Sequence, residues 1–477
     1  MLFNSTTFAI FFLIVLILYW ILRGSFKWQN GIILIANYVF YGWLSWKFLI
    51  IIFLISVISL VGSGIIDNSE RKLDRKIAVW TSCLFIGGML AILKYYNFFM
   101  NSVHDVVSLF GVQWHVQNLK WLLPVGLSYY VFSSIGYVIE VYRGKVKAAS
   151  DVVAYMAYLS FFPHVLSGPI AQATHLLPQF NRKREMNWKM AEDGVMQFTW
   201  GLFKKVVIAD ALVKNVAYIF AHYQDHSGSV LLIGAVLYSF QVYADFSGYS
   251  DMACGVARVL GFDIIQNFNL PFFSRNIGEF WRRWHISLSK WLTSHIYIPL
   301  GGKSPKTFIY IRNILITFTF SGLWHGPNWT YVTWGFLNGL YFVPAILRGG
   351  FKKHDAPIAY NRWLPNPKEF FQILSTFGLV SFSRIFFRSP DMTAAFGYIK
   401  GMFSLSLFSI PNFGAVSLLW VLGMVAFEWI NRHKRYALEP TASQPIWVRY
   451  PAFAAITAFI VVAMSVNSGT EYIYFKF

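Results

Sequence analysis

The sequence is poor in cysteine and in charged residues, and it lacks several common catalytic motifs. Cys83 and Cys254 are its only cysteines, so they form neither a disulfide framework nor a zinc cluster. Charged residues make up 13% of the chain, against about 25% in soluble proteins. There is no Gly-rich phosphate loop, no G-x-S-x-G segment and no H-E-x-x-H segment. We therefore do not expect an ATP-driven pump, a serine hydrolase or a zinc protease.

Apolar residues, in contrast, are abundant at 56% of the chain, and apolar runs long enough to cross a bilayer recur from end to end. The many tyrosines and tryptophans suit the two membrane interfaces. The sequence predicts an all-α, polytopic membrane protein with about eleven to thirteen membrane-embedded helices around a central funnel, some of them re-entrant. The expected spans are 6–22, 30–46, 48–66, 77–93, 121–142, 151–167, 195–221, 228–245, 308–324, 329–347, 369–387, 413–431 and 447–465.

The net charge is +19, from 40 basic and 21 acidic residues. The basic residues cluster between apolar runs, which fits the positive-inside bias and anionic lipid head groups better than nucleic acid. Arg23 and Lys27 follow the first run, so we expect run 6–22 to be a retained span rather than a signal peptide. Counting spans from there predicts that the N-terminus and the C-terminal tail both lie outside the cytoplasm.

Three segments at membrane depth look unsuited to an ordinary span. They are 161–170 (FFPHVLSGPI), 245–252 (DFSGYSDM) and 280–302, which contains FWRRWHISLSKW. Irregular backbone survives at this depth where protein or a water-filled cavity surrounds it. We therefore expect these three segments to line a protein-enclosed passage.

The segment 280–292 carries ionisable groups among tryptophans. If it is one helix, Arg282, His285 and Ser289 share a face, at spacings i, i+3 and i+7. One interpretation is that this face lines a wet tunnel, because ionisable groups inside a membrane often mark a pathway or a reaction site. The other is an interfacial helix whose arginines reach head groups. The residues alone leave both open.

A second histidine, His325, follows the apolar run 308–324, with Trp324 beside it as a candidate wall of the tunnel. Desolvation disfavours the charged imidazole, and a neutral imidazole can act as a general base. The alternative is a structural histidine bonded to a helix end. His285 and His325 lack an obvious third ligand, so we predict no metal site.

Asp245 and Asp251 lie within another apolar run. A carboxylate there needs a partner, for which Arg282 or Arg283 is a candidate. The acids then either orient the arginines or a histidine, which makes Asp245 a candidate tunnel residue, or are structural, as members of ion pairs or as helix caps. We favour the structural interpretation.

Residues 266–302 (QNFNLPFFSRNIGEFWRRWHISLSKWLTSHIYIPLGG) and 321–339 (SGLWHGPNWTYVTWGFLNG) together resemble the membrane-bound O-acyltransferase family. YADFSGYSDMA, residues 243–253, is similar to its bacterial branch, which O-acetylates alginate or peptidoglycan outside the cytoplasm. The resemblance covers nearly the whole chain. It implies a single domain over 1–477, with N-terminal spans in 1–150, a core in 151–347 and C-terminal spans in 348–477.

The resemblance implies that His325 is the essential catalytic residue and His285 the second motif histidine. Acetyl-CoA is then the acyl donor, bound from the cytoplasmic side of a bacterial inner membrane, and no cofactor is held. A separate extracytoplasmic transferase places the acetyl group on sugar hydroxyls. Arg282 and Arg283 are candidates for attracting the anionic donor, and Asn328 or His285 for hydrogen bonding to the acyl oxygen.

Alternatives remain at this stage. Peptidoglycan is the first choice of acceptor and alginate the second. Related enzymes transfer D-alanine from a carrier protein to teichoic acid. A transporter or channel for an acyl donor would also use polar interruptions of this kind. A passive scaffold has no feature in its favour.

Overall fold

The computed structural model describes residues 1–43, 45–112, 114–120, 123–351, 357–441 and 445–466, with the backbone alone for residue 466. Over these residues the chain is helical and has no β-strand, which confirms the all-α prediction. Five helices of the described part are long and apolar enough to cross a membrane, so the chain is a multi-pass membrane protein; they are Lys47–Asn68, Lys72–Ser108, Gly228–Val259, Pro367–Arg388 and Ile446–Ser465.

The chain forms two compact units, Met1–Ala191 with Ala257–Ile264, and Glu192–Val256 with Ile265–Phe477. The prediction of one domain over the whole chain, and that of a central funnel, stay predictions. The predicted C-terminal tail, 471–477, lies outside the described residues.

The first unit packs apolar helices through buried hydroxyl pairs. Ser56 and Ser59 of α3 lie 2.5 and 2.6 Å from the hydroxyls of Tyr130 on α6 and Tyr155 on α7. Such pairs satisfy polar groups that have no water to bind at this depth. The helices are α1 Thr6–Ile21, α2 Phe26–Gly42, α3 Lys47–Asn68, α4 Lys72–Leu90, α5 Tyr96–Ser108, α6 Leu127–Tyr142, α7 Val152–Leu159, α8 Phe162–Val165 and α9 Ala173–Phe180, with a π-helical turn, Ala91–Tyr95, joining α4 to α5.

The break predicted at 161–170 is present in this unit and is held by Asn37 of α2. The Asn37 amide donates to the Ala157 carbonyl (3.0 Å) and to the Ser160 hydroxyl (3.1 Å), and its oxygen accepts from the Phe162 N–H (2.8 Å). One buried side chain thus satisfies the backbone where α7 ends and α8 begins.

The later helices are α10 Trp188–Phe203, α11 Asp210–Ala221, α12 Gly228–Val259, α13 Ile277–Arg283, α14 Ile286–Leu292, α15 Thr307–His325, α16 Trp329–Leu340, α17 Val343–Leu347, α18 Pro367–Arg388, α19 Met392–Met402, α20 Leu418–Ile430 and α21 Ile446–Val466. Two π-helical turns, Lys204–Ala209 and Thr293–Tyr297, interrupt this part, and short 3₁₀ turns lie at Tyr223–Asp225, Pro271–Phe273, Leu405–Phe408 and Ala415–Ser417.

The break predicted at 245–252 is wrong, because these residues lie inside the continuous 32-residue helix α12. Aspartate disfavours helix interiors when its side chain competes for local backbone groups. Here the carboxylates of Asp245 and Asp251 are bound by lysines instead. The helix therefore continues through a segment whose composition is typical of a turn.

Candidate active site

The segment around His285 is two short helices rather than the single predicted helix 280–292. α13 ends at Arg283, Trp284 is extended, and His285 has φ 44° and ψ 55°, in the left-handed region. A non-glycine residue there costs about 1–3 kcal/mol, which the surrounding contacts must offset. Because of this break, Arg282 and Ser289 do not share a helix face with His285, and that prediction is wrong.

Asn267, twenty residues upstream, holds the start of α14. Its carbonyl accepts from the Ile286 N–H (2.9 Å), and its side-chain oxygen accepts from the N–H (3.1 Å) and the hydroxyl (2.9 Å) of Ser287. The first N–H groups of a helix have no intrahelical partner. Asn267 therefore supplies from a distant segment what an N-cap residue supplies locally.

His325 is the last residue of α15, and the close packing of α15 on α16 fixes its position. A Cβ atom at Gly322 would overlap the Tyr331 carbonyl, and one at Gly335 would overlap the Phe318 carbonyl. The two backbones can approach because both positions are glycine. The imidazole then lies edge-on against the rings of Trp334 and Phe387, with centroid distances of 5.0 and 5.2 Å.

The fold brings His285 and His325 together, although they are forty positions apart in the chain. Their ring centroids are 6.4 Å apart, and both residues are buried. Phe246 contacts the His285 ring edge-on at 4.7 Å, and the Trp324 ring lies 5.9 Å from it. His285 lies outside the helices long enough to span, and burial lowers the pKa of its imidazole to about 3. This imidazole is neutral at physiological pH.

The other predicted candidates occupy different surroundings. Arg282 is exposed, whereas the Arg283 guanidinium pairs with Glu279 at 2.9 Å. The Ser289 hydroxyl donates weakly to the Trp284 carbonyl at 3.4 Å.

The Asn328 side chain is occupied at both ends by the local fold. Its oxygen accepts from the Thr330 N–H (3.0 Å) as the cap of α16, and its amide donates to the Pro390 carbonyl (2.8 Å). The same side chain would have to give up one of these bonds in order to bind an acyl group.

Asp245 pairs with Lys205 (2.7 Å), not with Arg282 or Arg283, so the predicted partners are wrong. Lys205 also binds Asp210 at 3.0 Å. Asp245 and Asp251 are thus both members of buried ion pairs, as the structural interpretation of these two acids predicts. Sequence reasoning missed Lys204 and Lys205 as partners of Asp251 and Asp245. Both lysines lie inside the apolar run 195–221, in the π-helical turn Lys204–Ala209.

Sequence reasoning also missed Arg384 and Asn267. The Arg384 guanidinium lies over the Trp284 ring, 4.3 Å from its centroid, and is buried in α18. Its signal was available, because an arginine inside the apolar run 369–387 is as unusual as His325. Asn267 gave no such signal, since an asparagine in a polar loop is ordinary.

Comparison with known proteins decides the family. The profile of the membrane-bound O-acyltransferase family matches residues 32–353. The chain belongs to this family. It is therefore a membrane acyltransferase, and the transporter and scaffold interpretations have no support from the comparison.

Three relatives show how far the similarity of this acyltransferase extends. A probable alginate O-acetylase of Pseudomonas aeruginosa is 34% identical over 95% of this chain and 85% of its own length. A peptidoglycan O-acetyltransferase of Helicobacter pylori is 29% identical over 99% and 90%. A teichoic acid D-alanyltransferase of Streptococcus thermophilus is 27% identical over 46% and 56%.

The arrangement in this acyltransferase suits proton transfer in a dry setting. A neutral imidazole accepts a proton at one ring nitrogen and donates from the other, so two adjacent imidazoles supply both functions. Within the part of the chain that the structure describes, no three His, Cys, Asp or Glu side chains cluster closely enough to hold a metal ion.

Proposed function

We propose that this acyltransferase takes an acetyl group from cytoplasmic acetyl-CoA and delivers it across a bacterial inner membrane for O-acetylation of an extracellular polysaccharide. The observation that carries the proposal is the pair of buried imidazoles, 6.4 Å apart, in a chain that aligns over most of its length with O-acetylating enzymes. We propose that a separate extracytoplasmic transferase completes the delivery and that anionic lipids surround the basic loops.

In the proposed reaction, a hydroxyl oxygen of the molecule that accepts the acetyl group attacks the thioester carbonyl carbon of acetyl-CoA. His325 takes the hydroxyl proton as general base, and the C–S bond breaks when the tetrahedral intermediate collapses. The proton then passes from His325 to the departing sulfur, so an ester and a thiol leave and the enzyme is unchanged. A positioned base of this kind contributes about 10²–10⁴ in rate.

His285 is our choice as the donor to the acyl oxygen. A buried neutral imidazole can donate one N–H, and a donor aimed at the developing oxyanion is worth about 10²–10³ in rate. Asn328 is less suited, because both ends of its amide already bind the backbone. The exposed Arg282 remains available to attract donor phosphates, whereas Arg283 is held by Glu279.

Identity values favour an alginate-type exopolysaccharide over peptidoglycan as the final acceptor. The alginate relatives are 33% to 35% identical to this chain, and the peptidoglycan relative is 29% identical. This reverses the order expected from the sequence. Measuring ester-linked acetate separately on secreted polysaccharide and on purified cell wall, with and without the gene, distinguishes the two acceptors.

The decisive test of the mechanism is His325→Ala, with His164→Ala as a matched control. His164 is equally buried but lies in α8, where its ring nitrogen is 3.1 Å from the Tyr158 carbonyl. We expect His325→Ala to abolish polymer acetylation at unchanged protein level and His164→Ala to retain it in proportion to the folded protein. The measurement is base-released acetate per amount of folded protein in membranes. Full acetylation by His325→Ala would refute the proposed base.

D-alanyl transfer is the second candidate, because two teichoic acid D-alanyltransferases match about half of this chain. Labelled acetyl-CoA supplied to membranes that contain the chain and its extracytoplasmic transferase, without any carrier protein, distinguishes acetyl transfer from D-alanyl transfer. Transfer of label to polymer supports acetylation. Transfer that requires an aminoacyl carrier, with none from acetyl-CoA, would support D-alanylation instead.

A further inference from the structure

We infer that Asn267 is a positioning residue for the reaction, which sets the direction of the His285 imidazole. The inference rests on the proposed function, because it assumes that His285 acts at the acyl group. The Asn267 side chain hydrogen-bonds to Ser287 and to Ser250. It acts by fixing the backbone on the C-terminal side of His285.

The first step of the reasoning concerns the backbone. His285 adopts the left-handed conformation between α13 and α14, which is uncommon for a residue other than glycine. Three hydrogen bonds to Asn267 fix the two residues that follow, Ile286 and Ser287. A neighbouring bond, from the Asn269 N–H to the Arg283 carbonyl at 3.0 Å, fixes the residue before the break.

The second step concerns the burial of Asn267. Its side chain has no exposed surface, and its amide lies 3.4 Å from the hydroxyl of Ser250 on α12. The same helix supplies Phe246, whose ring contacts the His285 imidazole edge-on. α12 therefore contacts Asn267 through Ser250 and the His285 imidazole through Phe246. The same helix thus fixes the positions of both side chains.

The third step concerns the loss of the hydrogen bonds between Asn267 and Ser287. Without the Asn267 side chain, two hydrogen bonds from Ser287 to the Asn267 oxygen are lost, and the left-handed turn loses part of its support. The imidazole then moves relative to His325 while remaining buried. A displacement of about 1 Å is enough to lower the rate of a positioned reaction about 100-fold.

The test compares Asn267→Ala with Asn267→Asp and Asn37→Ala. A neutral Asp keeps an oxygen that accepts from Ser287 and a hydroxyl that donates to Ser250. Asn37 is the matched control, because it is equally buried and makes the same kind of three-bond clamp, at the break between α7 and α8. Transfer of labelled acetate from acetyl-CoA to polymer, in membrane vesicles that also contain the extracytoplasmic transferase, gives kcat and KM, and thermal unfolding in detergent gives stability.

We expect Asn267→Ala to lower kcat about 100-fold with KM for acetyl-CoA unchanged, and Asn267→Asp to recover most of that loss. Asn37→Ala should unfold at a reduced temperature but keep its kcat per folded molecule. Wild-type kcat in folded Asn267→Ala, an Asp variant as impaired as the Ala variant, or an equal loss of kcat in Asn37→Ala would overturn the inference. Failure of the wild-type chain to transfer acetate would refute the proposed function instead.

Discussion

The buried ion pair between Lys204 and Asp251 makes a quantitative prediction about stability. The Lys204 ammonium lies 2.6 Å from the Asp251 carboxylate and 2.8 Å from the Ser247 hydroxyl. Gln197 donates to the other carboxylate oxygen at 2.8 Å. Both charged side chains are buried, so neither charge can turn to water when its partner is removed. Removing one partner of such a pair destabilises a protein by about 3–5 kcal/mol, whereas replacing both with apolar residues is often neutral.

We therefore expect Lys204→Met and Asp251→Leu each to lower the free energy of unfolding by about 3–5 kcal/mol. The double variant should lose less than the sum, because neither partner of this pair is left behind without the other. Lys183→Met is the control: its pair with Glu185 is exposed at 3.6 Å, and such pairs contribute less than about 1 kcal/mol. Unfolding in mixed detergent micelles, followed by tryptophan fluorescence, measures all four variants. Single-variant losses that simply add in the double variant would refute the reasoning.

Two further predictions concern the site. Gly335→Ala places a methyl group against the Phe318 carbonyl and should destabilise by about 1–3 kcal/mol. Gly64 has open space around it, so Gly64→Ala is the control and should leave the free energy of unfolding unchanged or slightly raise it. Equal losses of stability in the two variants would contradict the packing argument. For pH, the folded pKa of His285, about 3, lies below the unfolded value of about 6.5. Between these two pKa values His285 is protonated in the unfolded chain but not in the folded one. The free energy of unfolding of the wild type, relative to that of His285→Asn, should therefore fall by roughly 1.5–2 kcal/mol from pH 6.5 to pH 5. A pH-independent difference would show that the imidazole is not buried.

Much of the helical framework follows directly from apolar run length. The predicted run 308–324 is α15, Thr307–His325, and the run 369–387 is α18, Pro367–Arg388. These boundaries were predictable because a bilayer fixes the length of an apolar helix. The resemblance identifies His285 and His325 as the two motif histidines, and the structure places their ring centroids 6.4 Å apart.

The errors have one physical origin, which is that distant partners decide local structure. Asn267 breaks the predicted helix 280–292 by binding Ile286 and Ser287 from twenty residues away. Conversely, Lys205 removes the predicted break at 245–252 by binding Asp245. Neither effect is visible in a window of neighbouring residues, because propensity describes only local competition for hydrogen bonds.

The charges shared by α12 and the segment before it constrain how the protein enters the membrane. Inserting Lys or Asp alone at the centre of a helix costs about 2.5–3.5 kcal/mol per residue. Lys205 is followed after five residues by one of its carboxylate partners, Asp210, whereas Lys204 leaves the ribosome well before its partner Asp251 on α12. We therefore expect the segment Lys204–Ala209 to reach its final depth only when α12 brings Asp251 to Lys204, so that the two segments insert together.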